Sequence, residues 1–94
     1  MKKFSFAVTV TSPQGLHTRP ATFIVKLLKG FSSTVTFTFN GETVNAKSVM
    51  NILLLAADQN SKIEVTVEGS DADLLKESLI KVFEQGFMER CNGG

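Results

Sequence analysis

The chain has 94 residues, 43% of them hydrophobic and 20% charged, which is room for one core and one domain. Ten Lys and Arg against nine Asp and Glu leave a net charge of +1, too little for a protein that holds nucleic acid mainly by neutralising phosphates. A single cysteine, Cys91, and a single histidine, His17, exclude an intrachain disulfide framework and a four-ligand structural zinc site.

Lys2 and Lys3 precede apolar residues, but these alternate with polar ones instead of forming the ~7–15-residue apolar stretch of a signal peptide. No run approaches the ~18 apolar residues of a transmembrane helix. The chain therefore reads as soluble and cytoplasmic. Phe4, Phe6, Val8 and Val10 alternate with Lys3, Ser5, Ala7 and Thr9, the period of a strand with one buried face. Ser12-Pro13-Gln14-Gly15 reads as a turn. Ala21, Ile24, Val25 and Leu28 then recur at helical spacing, and Phe23 and Leu27 widen the stripe. Proline fits a helix only in its first turn, so Pro20 puts the start near Thr18. Lys26 and Lys29 fall in the last turn, and Gly30 is the expected stop.

A second strand points Val35, Phe37 and Phe39 one way and Thr34, Thr36 and Thr38 the other. Asn40 and Gly41 both tolerate positive φ and signal a tight hairpin, with a strand over Glu42–Asn45 returning beside it. Ser48 is the expected N-cap of a short helix carrying Val49, Ile52, Leu53 and Ala56 on one stripe. Ile52 and Leu55 are its core candidates, while Met50 and Leu54 fall outside the stripe. Asp58-Gln59-Asn60-Ser61 is a turn, and Ile63, Val65 and Val67 mark a further strand. Ser70 and Asp73 have capping-box spacing ahead of a last helix that buries Leu75, Leu79, Val82 and Phe83. The domain runs over 1–88, with 89–94 as a tail; the chain reads as frayed from Gly86, and Cys91 as a tail thiol. The order is β-α-β-β-α-β-α, an α+β arrangement. Half-buried strands suit an antiparallel or mixed sheet with helices on one face and a threonine-rich face in water.

Gly15-Leu16-His17-Thr18-Arg19-Pro20-Ala21 places the imidazole at the mouth of a helix. A lone histidine is most often an ordinary loop or cap residue. Here it sits where a helix offers unpaired N–H groups and partial positive charge, a ready anion site. Arg19 adds a permanent cation able to bond phosphate oxygens, and Pro20 stiffens the first turn. An imidazole nitrogen can carry a covalent group, so the combination points to phosphoryl transfer by way of histidine. No general acid–base partner, Walker-type loop or metal cluster accompanies it in the sequence, which argues for a carrier that lends its histidine to another protein's active site and against a stand-alone catalyst. No cofactor is implied.

These residues are similar to the active-site motif of the histidine-containing phosphocarrier (HPr) family of the bacterial phosphoenolpyruvate:sugar phosphotransferase system. The stretch from Asn40 to Met50 resembles that family's hairpin and second-helix region, and Ile63 to Gly69 the strand before its last helix. The likeness runs over about residues 2 to 86. It implies an open-faced β-sandwich, with a sheet of order 1-4-2-3 under three helices. It also implies that His17 takes a phosphoryl group on Nδ1 from enzyme I and passes it to IIA domains of sugar permeases. Arg19 would act with it, and Thr18, Arg19 and Ala21 would hold the phosphate. Ser48 matches the position that a dedicated kinase/phosphorylase modifies in one branch of the family; its other reading is a helix cap alone. Val49, Met50, Leu53 and Lys47 are the expected docking residues, although Lys47 also reads as merely solvated. The chain departs from the family in having Thr18 where many members have Ala, and Asn51 and Asn60 where small residues are common.

Two rivals stand beside this reading. One is an RNA-binding domain of RRM type, which shares the element order but needs aromatics on the open sheet face and an RNP1 motif, absent here. The other is a nitrogen-related or regulatory paralogue within the family. The expected molecule is a monomer that binds neither nucleic acid nor membrane.

Overall fold

Alternation of apolar and polar residues builds the sheet, and the 3.6-residue period of the intervening stretches builds the layer that covers it. In the computed structural model, which describes residues 2–86, the elements are β1 (Lys2–Thr9), α1 (Thr18–Leu28), β2 (Thr34–Phe39), β3 (Glu42–Asn45), α2 (Val49–Leu54), β4 (Lys62–Gly69) and α3 (Ala72–Glu84). The strands form one sheet in the order β1-β4-β2-β3, antiparallel at every pairing. β4 is therefore central, with Phe4 opposite Val67 on one side and Val35 opposite Val67 on the other.

One face of the sheet carries the core. Val35, Phe37, Ile63, Val65 and Val67 are buried against Ile24 and Leu28 of α1, Ile52 of α2, and Leu75, Leu79 and Phe83 of α3. Phe37 and Phe83 meet edge to face, with ring centroids 6.2 Å apart. Phe4 and Phe6, on the edge strand, are only half covered, and the Lys76 ammonium lies 5.1 and 5.7 Å above their rings. The other face is hydroxyl-rich and open. Thr38 and Thr43 bond across β2 and β3 at 2.8 Å, and Ser5 lies 3.4 Å from Thr66. With Phe37 fully buried and the open face carrying Thr, Ser, Lys and Glu side chains and no aromatic ring, the stacking platform of an RRM is missing, which removes that rival.

The hairpin forms as its sequence dictates, with φ of +54° at Asn40 and +84° at Gly41. Elsewhere the ends of elements differ from expectation. α1 does not stop on a left-handed Gly30; Lys29 is the C-cap, and the amides of Lys29 and Gly30 return to Val25 and Leu27. Ala56 does not extend the stripe of α2. That helix ends at Leu54, and Ala56 is exposed with φ +52°. Val82 is half-buried, and Ala72 completes the buried stripe of α3 instead. The turn at Gly86 bonds back to the Phe83 carbonyl at 3.3 Å; the frayed tail, the boundary at 88 and Cys91 lie outside the described residues.

The capping box at Ser70 and Asp73 does not form. Asp71 is the N-cap of α3 by position but gives its carboxylate to the α1–β2 connection. It accepts the amides of Ser32 at 2.9 Å and Ser33 at 3.0 Å and, in a short bond, the Ser33 hydroxyl. Asp73 turns to Lys2, 3.0 Å away, an exposed pair of small worth. The Ser33 hydroxyl, followed by the Ser32 amide, holds the Asp71 carboxyl at about 2, down from the usual 3.8. A depressed folded-state pKa means that this contribution is present above pH ~4 and is lost as pH falls towards 2. In acid titrations of stability, Asp71→Asn should lower the denaturant midpoint at pH 6 and remove much of the steepness between pH 4 and 2. An unchanged acid limb would mean that the contact carries no stability.

Candidate functional site

The loop before α1 is fixed at both ends. Val10 pairs with the segment entering β4, its amide on the Ser61 carbonyl at 2.9 Å and its carbonyl on the Asn60 amide at 2.7 Å. The chain then turns at Ser12–Gly15, closed by Gly15 N–H to Ser12 C=O at 2.9 Å. Gly15 has φ +72° and lies flat on the Ala57–Asp58 backbone; a Cβ there would stand 2.9 Å from Asp58 Cα and still closer to the Ala57 carbonyl oxygen. Leu16 plugs into the core and donates its amide to Ala57 C=O at 2.9 Å. His17 follows as the N-cap of α1, in extended backbone and half-buried.

This helix start shares the missing side-chain cap with α3 and the lack of a first-turn acid with α2, and it alone combines the two. The His17 carbonyl accepts the Ala21 amide at 3.1 Å, but its side chain makes no capping bond. The first turn holds no acidic residue; it holds Arg19. Pro20 sits in that turn as expected and has no amide to satisfy. Among the described residues, the amides of Thr18 and Arg19 have no hydrogen-bond partner, and the Arg19 guanidinium has no ion pair. A cation at the positive end of a helix dipole is unfavourable for folding, and an empty cap typically forgoes ~1 kcal/mol. An anion seated here would reverse both deficits. Of the three expected phosphate-binding positions, Thr18 and Arg19 are thus available. Ala21 is not, because its amide is spent on His17 and its side chain is buried.

From this end a shallow groove runs down the outer side of α1, lined by Thr18, Arg19, Thr22, Phe23, Lys26 and Leu27. Phe23 and Leu27, expected to widen the buried stripe, sit at its margin and face both core and groove. Among the described residues no three His, Cys, Asp or Glu side chains gather in a metal-binding group.

The expected docking residues separate into two kinds. Met50 is 71% exposed, whereas Val49 and Leu53 are half-buried and pack on the core. Leu54, 66% exposed, belongs with Met50; its place outside the apolar stripe was the sequence signal for it. Lys47 is half-buried and is committed at one donor to the protein itself. Its ammonium donates to the Phe31 carbonyl at 2.8 Å and so ties the α2 entry to the end of α1. Ser48 is the N-cap of α2, accepting the Asn51 amide at 3.3 Å.

Residues 4–85 match the family model described as "PTS HPr component phosphorylation site". The chain is 46% identical over 80 residues to the phosphocarrier protein HPr of Chlamydia muridarum, covering 85% of this chain and 77% of that one. It is 41% identical over 87 residues to that of Chlamydia trachomatis, covering 93% and 80%. The crystal structure of a phosphocarrier protein HPr from Bacillus anthracis superposes with a TM-score of 0.83 at 36% identity, covering 88% of this chain and 99% of that one. Fold and sequence together define a small phosphocarrier domain. The chain belongs to the HPr family of the phosphotransferase system.

Two substitutions separate cap from strut. Ser48→Ala should cost ~0.5–2 kcal/mol through the lost cap. Lys47→Met should cost ~1–3 kcal/mol, because the half-buried Phe31 carbonyl loses a charged donor. Urea unfolding measures both; full stability in Lys47→Met would return Lys47 to the solvated, docking reading.

Proposed function

We propose that this chain receives a phosphoryl group on His17 from phosphorylated enzyme I and hands it to IIA domains of sugar permeases in the cytoplasm. The observation that carries the proposal is the uncapped start of α1: an imidazole that, among the described residues, makes no hydrogen bond, beside two amides and a guanidinium that likewise find no partner there. In the transfer, the bond between phosphorus and the donor's nitrogen breaks as one forms to a ring nitrogen of His17, which must present a lone pair. The resemblance points to Nδ1. The phosphoryl oxygens then carry their charge into the Thr18 and Arg19 amides and the Arg19 guanidinium, donors already in place and needing no reorganisation. A half-exposed site suits a carrier, since each partner must reach the same atom. No helix among the described residues is long and apolar enough to cross a membrane.

Docking falls to the groove along α1 and to Met50 and Leu54 on α2. An exposed, flexible methionine suits contact with more than one partner, and Arg19 and Lys26 favour an acidic one. Ser48 lies at the start of the same helix. A phosphate there adds about −1.5 to −2 charges at a helix N-terminus, where it is tolerated, so its effect falls on partners and not on the fold.

With enzyme I and labelled phosphoenolpyruvate, the chain should acquire an acid-labile label that His17→Ala abolishes without loss of thermal stability. Undiminished acid-labile label on that variant would end the reading. Arg19→Ala should lower the transfer rate by ~10- to 1,000-fold while weakening partner binding far less, as removal of one transition-state donor does.

Ser48→Asp should melt within a few degrees of the unmodified chain and accept phosphate much more slowly, as should Met50→Glu and Leu54→Glu. Transfer at the original rate in Ser48→Asp would leave Ser48 as a cap only.

A further inference from the structure

We infer that Ala56 is a positioning residue for His17, acting through its left-handed backbone; the inference rests on the phosphocarrier reading above. The His17 ring makes no hydrogen bond among the described residues, so its placement is inherited from the backbone just before it. That backbone is held by one short segment. Leu16 N–H meets Ala57 C=O at 2.9 Å, Gly15 lies against Ala57 and Asp58, and Val10 is paired to Asn60 and Ser61 at 2.7 and 2.9 Å. Gln59 adds a longer bond to the Thr11 carbonyl at 3.4 Å. Both limbs of the loop that presents His17 are thus attached to residues 57–61, and the attachment nearest the histidine is the Ala57 carbonyl.

Ala56 sets where that carbonyl points. α2 ends at Leu54, the Ala56 amide returns to Leu53 C=O at 3.1 Å, and φ then swings to +52°. This reversal takes the chain out of the helix and presents Ala57 C=O to Leu16. Left-handed backbone is disfavoured for alanine, because its Cβ crowds the following carbonyl oxygen. The Ala56 side chain is exposed, so packing of its methyl does not account for the conformation; the bonds of the following residues do. A disfavoured conformation kept one residue before the contact that anchors a reacting loop is the pattern of strain retained for geometry. In-line transfer is sensitive to ångström-scale misplacement of the nucleophile, and a shift of Ala57 C=O passes directly to Leu16 and His17.

The test uses two near-isosteric changes at this exposed position. Asparagine accepts left-handed backbone more readily than alanine, whereas the bulk of leucine makes it less tolerant there than alanine. Single-turnover transfer from saturating phosphorylated enzyme I should be unchanged, within about twofold, in Ala56→Gly and Ala56→Asn. It should fall about tenfold or more in Ala56→Leu, with the dissociation constant for enzyme I unchanged and the His17 ring ¹H–¹⁵N resonances displaced. Gly15→Ala, which pushes on the same contact from the other side, should show the same separation of rate from affinity, and thermal melting of each variant together with its enzyme I dissociation constant separates a lost rate from a lost fold. Equal losses in Ala56→Asn and Ala56→Leu would mean that side-chain bulk at a docking surface is responsible and would overturn the inference. So would a full rate in Ala56→Leu or in Gly15→Ala. Acid-labile label retained by His17→Ala would instead overturn the phosphocarrier reading itself, so the two failures are distinguishable.

Discussion

A helix that begins on a residue unable to cap it must have its first turn fixed from elsewhere, and α1 is held in that way. Ser48 secures α2 with its own hydroxyl. At α1 the hold comes from outside: Leu16 buried in the core, Leu16 N–H on Ala57 C=O, Gly15 flat on the next peptide, and Val10 laced to the segment that enters β4. These contacts free the end of α1 from capping itself. The amides of Thr18 and Arg19 remain open because the fold does not require them.

The same end breaks local rules of helix design in a consistent direction. Histidine is a poor cap, an arginine occupies the first turn where an acid would help, and no carboxylate among the described residues pairs with it. Each departure weakens the isolated helix, and each suits an incoming anion. Where several choices oppose stability yet agree with one another, function explains them better than accident. Only the outer end of α1 carries this burden, since Ala21, Ile24, Val25 and Leu28 bury a full stripe behind it.

Away from the start of α1, polar contacts join loop to loop around the core. Asp71 binds the α1–β2 connection to the β4–α3 turn through both Ser32 and Ser33, residues far apart from it in sequence. Lys47 does similar work between the start of α2 and the end of α1. Both were legible in the sequence only as ordinary polar residues near helix ends. Asp71 lay between two residues with capping spacing and was overshadowed by them, and Lys47 had no pattern to mark a carbonyl sixteen residues away as its partner. Spacing rules describe bonds within a turn or two of the chain; they contain nothing about bonds between loops.

The sequence by itself determined the order of elements, the strand faces, the hairpin, the start of α1 at Pro20 and the place of His17 and Arg19 at its mouth. These follow from local causes: side-chain period, the missing amide of proline, and the φ tolerance of Asn-Gly. It also marked Met50 as exposed. The helical period also set Leu54 with Met50 off the apolar stripe of α2 and Val49 and Leu53 on it; tertiary structure decided that Val49 and Leu53 are half-buried and not free docking residues, because α2 packs beside α1. It decided that Ala21 has no amide to offer, and that Ala56 leaves the helix instead of continuing it. The reason in the last case is physical: a helical Ala56 satisfies its own propensity, but only a left-handed one delivers the Ala57 carbonyl to Leu16, and that long-range bond prevails over the local preference.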